Sequence, residues 1–188
     1  VRGYDLYVVN ADGRGLRRLT RTPISREVAP AWSPDGKRIA FELSFDNGII
    51  VINADGSGLR RLTRTGQAPS WSPTGRRIVF SRWDSQSEQS LYVMNADGTH
   101  IRRLITCSLG FDDDEPAWSP AGNTIAFKRG ALGAIFTVRP DGRGLRRLTR
   151  PRSGDDVPSW SPDGRKIVFQ SARDDPDDIG IDYDIYVM

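Results

Sequence analysis

Cysteine, histidine and lysine are scarce in this 188-residue chain: Cys107, His100, and only Lys37, Lys128 and Lys166 among 27 basic residues. A single cysteine excludes an intrachain disulfide, so stability must come from packing. A single histidine means that any Ser-His-Asp triad, His-based zinc site or histidine general base would have to use His100. No Gly-x-Ser-x-Gly elbow occurs, which excludes an α/β-hydrolase nucleophile within these residues. No run approaches the roughly 18 apolar residues of a membrane span. Residues 1–10 lack a basic start followed by an apolar stretch and read as strand, not as a signal peptide. No segment of useful length has helical periodicity. Hydrophobic content of 37% and charged content of 27% fit a soluble globular chain with a real core. The net charge of +3 and the arginine bias make it mildly basic, weak grounds for any function.

What is present is a repeat. Leu6-Tyr-Val-Val-Asn-Ala-Asp-Gly-Arg-Gly-Leu-Arg-Arg-Leu-Thr20 returns at 49–63, 91–105 and 135–149. Between the copies stands Trp-Ser-Pro-x-Gly, starting at Trp32, Trp71, Trp118 and Trp160, tryptophans 39, 47 and 42 residues apart. A period of about 40–45 residues suits a four-stranded propeller blade. Each period reads as strand A at Ala-Trp-Ser, B at Ile-Ala-Phe or Ile-Val-Phe, C at Leu-Tyr-Val-Val, and D at Leu-Arg-Arg-Leu-Thr. Pro presets φ and Gly supplies a positive φ in the A–B turn, and Asn-Ala-Asp-Gly turns C into D. The expected fold is all-β: one β-propeller domain over 1–188, with about four blades and partial blades at both ends.

The succession Pro-x-Trp-Ser-Pro-Asp-Gly, Ile-Ala-Phe, Leu-Tyr-Val-Met-Asn-Ala-Asp-Gly, Leu-Arg-Arg-Leu-Thr resembles the repeat of the TolB-like, WD-repeat-related propeller family. The resemblance covers essentially the whole chain. It implies a bacterial, periplasmic or extracytoplasmic setting. It does not fix a function, because this propeller serves both as scaffold and as the gating domain of some peptidases.

The 17 expected strands do not divide into whole blades. The N-terminal D strand could complete the last blade, the chain could be a piece of a larger ring, or two chains could complete one ring as a homo-oligomer. The A–B and C–D turns are short and nearly constant. The D–A and B–C connections vary and share the opposite face, where binding residues usually sit. The D–A connections are read as residues 21–30, 64–69, 106–116 and 150–158. They are acidic, with Asp112, Asp113, Asp114 and Glu115 before one A strand and Asp155 and Asp156 before the next. The last B–C loop carries Asp174, Asp175, Asp177, Asp178, Asp182 and Asp184. These carboxylates can keep the loops solvated, attract a protein partner, or hold Ca²⁺. Asp174, Asp175, Asp177, Asp178 and Asp182 are the metal candidates, although their spacing is not that of an EF-hand. Trp83 lies outside the repeat and is either a binding anchor or a cover for a neighbouring blade. The repeat tryptophans are expected to pack between blades.

Each D strand carries an arginine pair: Arg17-Arg18, Arg60-Arg61, Arg102-Arg103 and Arg146-Arg147. The pairs read as charges that stop the outer edges from pairing with other chains. Spread round a circumference without stacking aromatics, they do not read as a nucleic-acid site. His100 stands in a tight turn and Cys107 just after strand D, neither in a catalytic pattern. The reading is a non-enzymatic protein-binding scaffold using the acidic loop face. Its candidate contact residues are Trp83, Asp112, Asp113, Asp114, Glu115, Asp155, Asp156, Asp174 and Asp175, with no cofactor beyond the Ca²⁺ option. The alternatives are the propeller portion of a larger enzyme such as a serine peptidase, or a Ca²⁺-dependent binding module.

Overall fold

The structure is a computed structural model that describes residues 4–22, 26–44, 48–84, 88–105, 112–131, 133–150, 154–173 and 183–188. They form antiparallel strands and turns. An outer pair, β1 (Tyr7–Val8) and β2 (Arg17–Arg18), comes first. Blade I is β3 (Glu27–Trp32), β4 (Arg38–Leu43), β5 (Gly48–Asn53) and β6 (Arg60–Arg61). Blade II is β7 (Gln67–Trp71), β8 (Arg77–Trp83), β9 (Gln89–Asn95) and β10 (Arg102–Arg103). Blade III is β11 (Asp113–Trp118), β12 (Ile125–Arg129), β13 (Ala134–Val138) and β14 (Arg146–Arg147). Blade IV is β15 (Asp156–Trp160), β16 (Ile167–Ser171) and β17 (Asp184–Val187). Strand order within each sheet follows the chain, and successive blades touch through β3, β7, β11 and β15. These first strands therefore gather at the axis while the fourth strands lie outside: a four-blade β-propeller arrangement.

Alternation within each strand builds the core between sheets. In β8, Ile78 and Phe80 pack with Ala40, Ile49 and Val51 of blade I. Val79 between them packs with Trp118, Ile125 and Phe127 of blade III. Phe41, Phe80 and Phe127 are fully buried, each contributing about 2–3 kcal/mol by area. The turn serine explains its place in the repeat. Ser33 Oγ accepts from Arg38 N (2.9 Å), and Ser72, Ser119 and Ser161 do the same for the N–H five residues on, at or just before the start of their own second strands. Gly36 sits at φ +67° in that turn, a conformation an L side chain resists.

Two expectations need correction. The first strand of each blade starts well before Ala-Trp-Ser and carries a bulge, with Ala29, Ala68, Glu115 and Val157 at φ +46° to +52°. The proline that follows each of them supplies no N–H to the ladder, and the ladder slips by one residue there. Second, not every repeat tryptophan is packed. Trp71 and Trp118 are 6% and 9% exposed, but Trp32 is 50% exposed, since among the described residues no inner strand packs on its side of blade I. Of the three closures considered, completion of blade IV by the N-terminal strands is the one the structure does not take. Among the described residues β1 and β2 touch neither β15, β16 nor β17, so the four blades form an open arc.

The arginine pairs also do more than guard edges. Arg17 donates to the carbonyls of Ala54 and Asp55 in the third-to-fourth-strand turn of the next blade (2.7 and 2.6 Å), and Arg102 donates to that of Pro140 (2.7 Å). The first arginine of these two pairs is a strap from one blade to the next.

Candidate functional site

The bulged first strands put three layers of polar side chains at the mouth of the channel, on the side of the variable loops. The outermost layer in sequence lies five residues before each tryptophan: Glu27, Gly66, Asp113 and Asp155. Glu27 accepts from the hydroxyls of Thr20 and Thr22. Asp113, fully buried, takes a bidentate contact from Arg129 (Nε to Oδ1 2.5 Å, Nη2 to Oδ2 2.7 Å). The guanidinium lies over Phe127 and Phe136, 5.4 and 5.2 Å from the ring centres. Burial pushes the Asp113 carboxyl up, and the hydrogen bonds and charge of Arg129 oppose the shift. Asp155 repeats the arrangement with Ser171 Oγ (2.5 Å) and Arg173 (2.9 Å), whose guanidinium covers Phe169 and Tyr186. In blade II the acid is replaced by Gly66, where a Cβ would stand 2.7 Å from the Phe80 ring. These acids belong to strands or strand ends and are internal, not loop carboxylates awaiting a partner. Both Asp113 and Asp155 are fully buried.

The second layer lies four residues before each tryptophan and bridges the seams between blades. In blade I this residue is Val28, and in blades II to IV it meets the residue that follows the Ile-x-Phe phenylalanine of the preceding blade. Gln67 Nε2 lies 3.5 Å from Glu42 Oε1, Ser81 Oγ donates to Asp114 Oδ1 (2.5 Å), and Lys128 Nζ donates to Asp156 Oδ2 (3.1 Å). One position in the repeat thus holds three chemically different pairs. Glu42 has no cation among these partners. Burial raises its pKa, the Ala68 N–H and Gln67 lower it, and the charge of Asp114 raises it further. Between blades III and IV, the N–H of Val157 donates to both Glu115 Oε2 (2.8 Å) and Asp156 Oδ1 (3.1 Å). Glu115 is pushed up to about 8 by burial, then by the hydrogen bond and charge of Asp156.

The third layer is the rim. Trp83, 47% exposed, donates its indole N–H to Gln67 Oε1 (3.2 Å), which also accepts from Gln89 Nε2 (2.9 Å). Asp112 Oδ1 accepts from Gln89 N (3.1 Å). The structure therefore brings together Trp83, Asp112, Asp114, Glu115 and Asp156 round the mouth. Asp174, Asp175, Asp177, Asp178 and Asp182 lie outside the described residues. Glu42, Gln67, Ser81 and Lys128 were missed by sequence reasoning. The signal was present: each of Glu42, Ser81 and Lys128 is a polar residue directly after a buried phenylalanine in an otherwise apolar strand.

His100 is far from this layer in the fold. It stands in the β9–β10 turn within reach of Asn95 Nδ2 and Thr99 Oγ1 (both 3.0 Å), at φ +54°, where the other repeats have Gly15, Gly58 and Gly144. Among the described residues, no three His, Cys, Asp or Glu side chains are grouped so as to hold a metal ion.

No family model matches the chain. A structure described as a TolB from Agrobacterium tumefaciens superposes with a TM-score of 0.78 at 24% identity, over 96% of this chain and 64% of that one. TolB from Acinetobacter baumannii gives 0.79 at 21% identity, over 98% and 46%. The fold is a TolB-like β-propeller, and the chain spans less than two thirds of either protein. A stretch of 37 residues, 20% of this chain, is 57% identical to dipeptidyl-peptidase 5 of Porphyromonas gingivalis and covers 5% of that protein. No helix among the described residues is long and apolar enough to cross a membrane.

Proposed function

We propose that the chain is a non-enzymatic protein-binding scaffold whose working surface is the channel mouth on the variable-loop face. The observation that carries this reading is Trp83, an exposed indole held in place by Gln67 and Gln89 beside a group of carboxylates. A large ring whose orientation is already fixed loses little freedom on binding, which is what an interface anchor requires. Within the second layer, Glu42, Asp114 and Asp156 outnumber the cation Lys128 among the described residues, which favours a partner that presents basic residues. Against catalysis at this surface stands the position of His100, in a turn on the opposite side.

The test is a displayed peptide library selected on the intact protein. Binders are expected to be rich in Lys and Arg, to weaken at least about tenfold on Trp83→Ala, which is 1.4 kcal/mol, and to be indifferent to His100→Gly. Binders that ignore Trp83→Ala would refute the assignment of the surface.

The local similarity to a dipeptidyl-peptidase favours a second reading, the propeller portion of a larger peptidase. A Gly-x-Ser-x-Gly motif in an α/β-hydrolase pattern downstream in the reading frame would support it. Further propeller repeats alone would count against it.

A further inference from the structure

The seam between blades III and IV differs from the other two at the same level. Between blades I and II a carboxylate meets an amide, and between II and III a carboxylate meets a hydroxyl. Here two carboxyl groups from opposite sides of the seam are drawn onto one backbone N–H, that of Val157. Glu115 is fixed on its side by a left-handed bulge (φ +52°) locked before Pro116. Asp156 is fixed on the other by the adjacent bulge at Val157 and by Lys128. Two oxygens that share one donor at 2.8 and 3.1 Å cannot both carry full charge cheaply in a partly desolvated seam.

We propose that this seam is a proton-operated latch, closed while one proton is shared between Glu115 and Asp156 and loosened when that proton passes to solvent. The charged groups facing the pair are Asp114 on the same strand as Glu115 and Lys128 on β12. From blade I, Glu42 acts on Asp114. With the proton, the seam holds one negative charge from the pair against Lys128. Without it, two carboxylates and Asp114 face a single ammonium. Burial draws the Lys128 pKa down, but the hydrogen bond and charge of Asp156, with Glu115 and Asp114, raise it overall, so it stays charged throughout.

The direction follows from linkage. In the closed seam Glu115 keeps its proton up to about pH 8, against an ordinary value of 4.5. Opening therefore releases a proton across that window. The opening constant rises roughly tenfold per pH unit between those limits and levels off above them, where both states are ionised.

The measurement is amide exchange at Val157 in the intact chain, corrected for the intrinsic pH dependence of exchange. From pH 5.5 to 7.5 the opening constant is expected to rise about a hundredfold in the wild type and to stay level in Glu115→Gln, which keeps the acceptor oxygen and holds no titrating proton. A flat wild type, or an equal rise in the variant, would overturn the latch. A carboxyl-carbon NMR titration of Glu115 in the unaltered protein decides independently of the variant's folding. A midpoint near 8 supports the shared proton, and one near 4.5 refutes it. Neither outcome bears on whether Trp83 anchors a partner.

Discussion

Trp32 and Trp71 open the same Trp-Ser-Pro-x-Gly motif, and a sequence-based account must treat them as equivalent. In the structure they are not. Trp71 is 6% exposed, donates its indole N–H to the carbonyl of Ala31 in the preceding blade (3.1 Å), and lies under the Arg38 guanidinium at 4.8 Å. Trp32 is 50% exposed and lines an open cleft of about 230 Å³ with Leu6, Tyr7, Val8, Val9, Pro30 and Ile39. A tryptophan buries roughly 200 Å² when packed, about 5 kcal/mol at 25 cal/mol per Å², and the indole hydrogen bond adds about 1 kcal/mol. Measured large-to-small substitutions fall somewhat below that sum, so Trp71→Ala should cost about 4–5 kcal/mol. With half its surface in water and no bond between blades, Trp32→Ala should cost about 2 kcal/mol. Urea unfolding followed by far-ultraviolet circular dichroism reads both, and Trp71→Phe provides a folded intermediate that loses chiefly the N–H donor. If the two alanine variants lie within about 1 kcal/mol of each other, the open-arc reasoning fails, because the difference rests only on whether a preceding blade is there.

Two further predictions concern stability. Asp113→Asn removes the buried carboxylate that the Arg129 guanidinium grips with two hydrogen bonds and should cost about 3 kcal/mol. Arg129→Met on that background should recover part of the loss, and a double variant no better than the single would count against a coupled pair. His100→Gly should stabilise the chain by about 1 kcal/mol, since it removes an L side chain from a left-handed position, and should raise the melting temperature by about 2–4 °C. An unchanged or lower midpoint would mean that the contacts of His100 with Asn95 and Thr99 outweigh the backbone strain.

The open arc and the latch share one cause, the repeat. Each blade can bury its two flat sides only against neighbours, so every seam must satisfy the same geometric demands with whatever side chains the local copy supplies. Indole donors and the polar pairs at the mouth occur at fixed offsets from the tryptophan, and the strap arginines at a fixed place in the third-to-fourth-strand repeat. Variation at those offsets turns one seam into an amide contact, another into a hydroxyl contact and a third into a shared proton.

The all-β class, the blade period, the tight turns and the strand order follow from residue spacing alone, since proline, glycine and alternating β-branched residues act over a few neighbours. Trp83 also stood out in the sequence, because it breaks the pattern, although it ends a strand instead of lying in a loop. Which carboxylates face the channel was not. Asp112 to Asp114 look alike in sequence, yet the bulge before Pro116 turns Asp113 onto Arg129 and Asp114 onto Ser81. A one-residue slip in a strand exchanges inside for outside, and only the packed neighbours in three dimensions decide where it falls.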